Sequence, residues 1–339
     1  MTTPTQALTP AKVITTSADY SAIVQAGAIT KTIDTQKLFD KTAKESTSSP
    51  LDQFIANSNT LNLLWSNQEN VSKEFLSIVF LGYISAVESY VRALIRSIIQ
   101  VDVISLKNAE NKPITFGAAL HHSKPLMPEA LMDNASFISC ENIVNTFKNL
   151  VDIDLILDDT TAQEFDKICQ LRHCCVHRFG KLGAKNAIAL GLESHSSLFE
   201  KPLILDKPAL GQIALTLRII MKTINNSVYR SILDRTFPTT PVGKGNDKQL
   251  PKALWSRNYE TDKILFGKYY RLFSTKLEKS PPVKEMYNRF ISEKEAALLK
   301  LAKGSKKPAV PNPQPVPAHQ PIVAENVEPP APEPGAGAE

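Results

Sequence analysis

The stretch Val71–Val101, VSKEFLSIVFLGYISAVESYVRALIRSIIQV, decides the fold class. At about 100° per residue, Phe80, Ile84, Val87, Val91, Leu94, Ile95 and Ile98 fall on one stripe. That spacing predicts a long amphipathic helix with its apolar side turned to a core. Its longest uncharged apolar run, Phe75 to Val87, is shorter than the ~20 residues a bilayer needs, and Glu88, Arg92 and Arg96 follow it. The helix is therefore expected inside a protein and not across a membrane.

Further helices follow from the same reasoning. Ser139 is placed to cap one in which Ile143, Val144, Phe147 and Leu150 share a face. Asp159 or Thr160 caps another that runs through Phe165, Ile168 and Val176 until Gly180 and Gly183 end it. A fourth starts near Asp206 and Pro208, with Leu210, Ile213, Leu217, Ile220, Met221, Ile224 and Val228 as its stripe. Together they predict an all-α helical bundle. The proline-marked segment from about 108 to 128 reads as a loop, with His121 and His122 in solvent.

The ends differ from this body. Residues 1–55 are rich in Thr, Ser, Ala and Lys and read as a partly disordered arm. Residues 56–236 form the helical domain, and 237–303 a basic, aromatic helical extension set off by Pro238, Pro241, Gly243 and Gly245. Residues 304–339 hold ten of the 23 prolines and read as an extended, disordered tail. From residue 308 onward that tail carries four Glu and no Lys or Arg, so the net charge of +5 understates a more basic body. Such a body suits a polyanionic partner without proving one. The four cysteines contain no CxxC pair, which argues against a disulfide framework and for free thiols in a reducing compartment. With no apolar leader in the first twenty residues, the expected location is the cytoplasm.

The chemistry concentrates in RHCCVHRFG, Arg172–Gly180. Arg172 lies on the apolar face between the directions of Phe165, Ile168, Val176 and Phe179. A guanidinium buried there would need a partner, a phosphate or a wet cleft, and the plain alternative is a salt bridge to Glu88. Glu88 is also spaced to pair with Arg92 one turn on. His173 and His177 are neighbours at i, i+4. A zinc site there lacks the Glu of HExxH, and Cys169 as third ligand has no independent support, so no metal and no cofactor are assigned. Cys174 and Cys175 read as small apolar fillers.

The run RHCCVHRFG resembles the R-x(4–6)-H signature of HEPN domains. Four residues separate Arg172 from His177, a polar residue follows the Arg, and a Gly lies three positions beyond the His. Those domains also have a long first helix with an acidic or polar residue, as Glu88 is in AVESYVRALIR, and a closing helix like 208–235. The resemblance covers about residues 70–236. It implies a dimeric, metal-independent endoribonuclease with two signatures facing each other across a cleft, with Arg172 and His177 catalytic and His173 and Glu88 in support. It also implies a stress, toxin or antiviral setting with an antitoxin or defence protein as partner. The competing reading is a non-catalytic HEPN module that binds RNA or nucleotide or assembles with other proteins. In HEPN toxins paired with nucleotidyltransferase antitoxins a Tyr often follows two positions after the His and takes the modification. Here Phe179 has no hydroxyl to accept it.

Two further features bear on RNA. Arg178 and Lys181 flank the signature. In Leu254–Lys276, Trp255, Tyr259, Phe266, Tyr269, Tyr270 and Phe273 interleave with Arg257, Lys263, Lys268, Arg271 and Lys276, as on a single-strand-binding surface. The preferred reading of that segment is a helical extension packing its rings on the bundle. One geometric demand remains. Arg172 and His177 are about 140° apart on a regular helix, so they meet only if the arginine bends round, the helix distorts near Gly180, or a second chain completes the site.

Overall fold

The computed structural model describes residues 23–24, 26–239 and 254–304. The chain divides into two units, Met1–Thr47 and Ser48–Glu339. In the first, Thr35–Leu38 forms a short 3-10 turn beside an Asp34–Lys37 ion pair. Residues 1–22 of the expected arm, most of the linker after Pro238 and nearly all of the Pro-rich tail lie outside the described residues.

Within the second unit the described residues form eleven α-helices and no strand. They are α1 Pro50–Trp65, α2 Lys73–Val101, α3 Val103–Ala109, α4 Phe116–His121, α5 Met127–Ala130, α6 Cys140–Val151, α7 Asp159–Arg178, α8 Ala184–His195, α9 Lys207–Thr236, α10 Tyr259–Phe273 and α11 Val283–Gly304. The all-α class is thus observed. The expected helices appear within a residue or two of their signals. Ser139 caps α6 and Asp206 caps α9 through side-chain oxygens, while α7 is capped by Asp158, one residue before the expected position.

Helix α2 is the axis of the bundle, touching α1, α3, α5, α6, α7, α9 and α10. All seven residues of its predicted stripe are buried. It is long and apolar enough to cross a membrane by composition. Its neighbours enclose that apolar surface, as for any core helix.

Two features depart from the expectation, and a third follows its preferred reading. Helix α1 begins inside the segment read as an arm, because Ser49 caps it, Pro50 occupies its first turn, and Leu51, Phe54 and Ile55 bury against α2. The proline-marked loop contains α4 and α5, with His121 exposed at the end of α4 and His122 half-buried. The extension after Phe237 shares the main core. Trp255, Phe266, Tyr269 and Phe273 are buried with Tyr287 and Phe290 of α11, and Trp255 meets four of these rings at centroid distances of 5.7 to 6.5 Å. Buried rings cannot stack on bases, which removes the single-strand-binding surface and leaves the packing reading.

Buried carboxylates tie this extension down. Asp52 on α1 accepts hydrogen bonds from the Lys276 and Leu277 amides and from the Thr275 hydroxyl. Burial pushes its carboxyl up, yet the bonds outweigh burial and hold it below the ordinary range. Asp102, 2% exposed, ends α2 by leaving helical backbone (φ −98°, ψ 118°) and caps α3 through the Ser105 amide. The same oxygen, Oδ2, accepts from Arg235 at the end of α9, and Oδ1 accepts from the Tyr269 hydroxyl of α10 at 3.2 Å. Arg235 also donates to the Val151 carbonyl at 2.9 Å, which reaches the end of α6.

Removing one member of such a pair strands the other in the interior. We expect Asp102→Ala to lower unfolding free energy by ~3–5 kcal/mol, seen as a lower urea midpoint with an unchanged slope. The double variant Asp102→Leu, Arg235→Met should recover part of that loss. A single variant as stable as the parent would show the network to be idle.

Candidate functional site

Helix α7 carries the signature and lies against α2, α6 and α9. Its first turns are core: Phe165, Ile168 and Cys169 are 5% exposed or less. Beyond Cys169 the helix runs out of the main core. Leu171, Arg172, His173 and Cys175 are half-buried, and Val176, His177 and Arg178 are exposed. Val176 and Phe179 were expected to continue the apolar face around Arg172. They do not: Phe179 is 92% exposed. Arg172 therefore stands where the helix leaves the core, and its guanidinium makes no hydrogen bond or ion pair among the described residues. The internal salt bridge to Glu88 is not formed. A half-exposed guanidinium keeps enough water to do without one.

The helix ends by an unusual route. Gly180 was expected to supply the left-handed residue, but Phe179 adopts it first (φ 50°, ψ 44°), and Gly180 follows at φ 88°. Both amides turn back to the Cys174 carbonyl, Gly180 at 2.9 Å. Bulky residues rarely hold this conformation. Since α7 is helical through Arg178, no distortion rotates His177 toward Arg172, and the ~140° divergence stands.

His173 and His177 stack, with ring centroids 5.8 Å apart and planes 21° from parallel. Partial burial lowers the His173 pKa, and the positive charge of Arg172, His177 and Lys185 lowers it further. Glu88 lies across from α7 on α2, half-buried, lining a polar cleft of about 340 Å³ with Gln53, Ser85, Ser89, Arg92, Arg96 and Glu129. It does not pair with Arg92 as its spacing suggested. Arg92 reaches Glu129 at 3.3 Å and covers the Phe137 ring at 5.3 Å, and Arg96 lies 3.9 Å from the same carboxylate. Glu88 remains on the wall of this cleft, near enough to Cys169 of α7 to act on its thiol. Burial, then Asp166, push the buried Cys169 thiol up to about 12, with Glu88 and Cys140 adding to the rise and Arg172 opposing it. The structure thus places Arg172 and Glu88 close enough to Cys169 to shift its thiol in opposite directions, and stacks His177 on His173.

The remaining assignments separate. Arg178 pairs with Glu200, and Lys181 is exposed in the turn after the signature. Arg257, at φ 68°, covers the Phe237 ring at 5.7 Å and lies 3.8 Å from Glu295. Lys268 and Arg271 are exposed on α10, a different helix from the signature. All four thiols are free; Cys174 is buried and Cys175 half-buried, as fillers are, and burial pushes both thiols up, Cys175 to about 11. No group of three His, Cys, Asp or Glu among the described residues is arranged to hold a metal ion. Comparison with protein-family models, curated proteins and solved structures finds no match.

Two functional features escaped the sequence reading, the exposed left-handed Phe179 and the shared carboxylate of Glu129. The GxxG-like spacing of Gly180 and Gly183 signalled the helix end but not which residue would cap it.

The histidine pair gives a direct test. In NMR titration, His173 should protonate below its ordinary value of 6.5, and Arg172→Met should raise its pKa only partway, because burial is the larger cause. The sign follows: the folded state favours neutral His173, so its stabilising contribution is complete above 6.5 and is lost as pH falls through the lowered pKa. A His173 titrating at or above 6.5 would contradict this packing.

Proposed function

We propose that the protein is a metal-independent endoribonuclease of HEPN type, acting as a homodimer in the cytoplasm. The observation that carries this reading is Arg172, a half-buried guanidinium with no hydrogen bond or ion pair among the described residues, one residue from a stacked histidine pair. Protein interiors pair their charges, so a guanidinium left open beside imidazoles is suited to an anion from outside.

RNA phosphodiester is the substrate on this reading. The 2′-oxygen attacks the adjacent phosphorus, the P–O5′ bond breaks, and the products are a 2′,3′-cyclic phosphate and a free 5′-hydroxyl. His177 takes the 2′ proton or returns one to the leaving oxygen, a task for which imidazole is suited because it can both accept and donate a proton. Arg172 binds the phosphate oxygens as charge builds on them. His173 and Glu88 position these groups, and Lys181 and Arg178 lie where the strand would continue.

A dimer answers the divergence of Arg172 and His177, because each can face the other's counterpart across a two-fold axis. Val176 and Phe179 with Ile188 and Leu192 of α8 expose apolar surface near the signature, at 46%, 92%, 64% and 47%. Such surface suits a second copy. A role in bacterial stress, toxicity or antiviral defence, with a cognate regulator as partner, follows from the habits of the resembled family.

The test is incubation of purified protein with mixed RNA in excess EDTA, alongside His177→Ala and Arg172→Ala. We expect cyclic-phosphate ends and a loss of about 10²–10⁴-fold in each variant. Cleavage surviving both substitutions would reject the site. RNA binding without cleavage, lost in Arg172→Ala, would reassign the protein to the non-catalytic binding class.

A further inference from the structure

Behind the signature, α7 presents a different side to a second, smaller core. There Cys174 packs with Leu182 and Ala187, with half-buried Leu190 against them, apart from the main cluster. The segment that closes over it is held by a few backbone bonds: Leu203 to the Gly180 carbonyl at 2.8 Å, and Leu182 and Glu200 to the Lys201 and Leu182 carbonyls at 3.0 Å. Helix α8 in this segment is broken at Gly191 (φ 104°, ψ 101°).

This small core borders a cleft of about 260 Å³. Its wall is hydrocarbon, running from Leu171 and Leu182 through Leu190 to Leu203 and Ile204. Besides the buried Cys174, its only titratable side chains are His195 and Lys201, and no Asp or Glu lines it. Lys201 is exposed, at the solvent edge, and makes no ion pair among the described residues. His195 is half-buried, and its Nδ1 lies 2.9 Å from the Gly191 carbonyl and 2.8 Å from the Ser194 hydroxyl. A carbonyl only accepts, so Nδ1 carries a proton, and Nε2 can donate to an anion once the ring takes up its second proton.

A hydrocarbon wall with two basic groups and no acid selects an apolar body that ends in an anion. We infer that this cleft binds a medium-chain aliphatic carboxylate, its chain along the leucines and its carboxylate at Lys201 and His195. The volume lies below the ~300–1,000 Å³ of sites for drug-sized ligands, which fits one short chain and not the two of a phospholipid. None of Arg172, His173, His177 and Glu88 lines the site, which does not depend on the ribonuclease reading.

The experiment is calorimetric titration of the full chain with hexanoate, octanoate and decanoate and with the matching alcohols. We expect one site per chain, affinity rising about fourfold per methylene (~0.8 kcal/mol each) until the cleft is full, and carboxylates favoured about tenfold over alcohols. Lys201→Met should abolish that preference while leaving alcohol binding intact, which shows the fold is kept, and Lys201→Arg should preserve it. The proposal is overturned by no binding, by equal affinity for acid and alcohol, by absence of chain-length dependence, or by many sites per chain. Binding to phosphatidylcholine vesicles that octanoate does not displace would also overturn it, by moving the apolar contact to a membrane surface.

Discussion

One buried carboxylate, Asp102, constrains more of this molecule than any other group. Its location forces α2 to stop at Val101, because the backbone must leave the helix for the side chain to cap α3. Its charge then needs partners, and they come from far along the chain: Arg235 at the end of α9 and Tyr269 on α10. Arg235 and Ser105 both bond to the Val151 carbonyl, which brings the end of α6 to the same point. Taking two charges out of water costs several kcal/mol per ion, and only a nearly complete set of partners offsets that. The interior can therefore satisfy Asp102 in one arrangement of α2, α3, α6, α9 and α10. Helix α7 packs on three of these, α2, α6 and α9, so the signature inherits its orientation from this network.

That constraint also explains what could be read in advance. The stripes of α2, α6 and α9 were legible because burial is periodic and each helix is long enough to show its period. Their caps were legible because Ser139 and Asp206 act within three residues. Helix α1 was not, since Leu51, Phe54 and Ile55 lie in its first turns and the polar run after them hides the stripe. The fate of the extension was legible only as the preferred of two readings. Whether Trp255 and Phe266 meet bases or a core depends on surfaces formed by residues far away in sequence, and rings interleaved with cations look alike in both cases.

The signature was legible as geometry and misread as environment. The helical wheel gave the angle between Arg172 and His177, which a helix continuous to Arg178 preserves. It also assumed that one face stays in one medium along the whole helix. Helix α7 instead crosses from core to solvent within its length, so Phe165 and Phe179 are 2% and 92% exposed. Local pairing rules failed for a related reason. Glu88 and Arg92 have the spacing of an ion pair worth ~0.2–0.5 kcal/mol, which is easily outcompeted. Glu129, from a helix 37 residues on, sits between Arg92 and Arg96 and serves both. Glu88 is released by that exchange and left on the wall of the polar cleft, which no local rule could anticipate.

Phe179 shows why the end of α7 bears on assembly. A non-glycine residue in the left-handed region costs of order 1–3 kcal/mol, and Gly180 next to it could have taken the cap without that cost. The ring gains nothing within the chain in return, being exposed. Burying a phenylalanine side chain is worth ~1.5–3 kcal/mol, comparable to the strain. On the homodimer reading, each chain would recover that amount by covering its Phe179 with the other copy. The ring lies two residues beyond His177, so the contact that relieves the exposed ring would also bring the two signatures together. On that reading assembly and the completion of the proposed site would be one event, driven by apolar surface at the end of the helix that carries the signature.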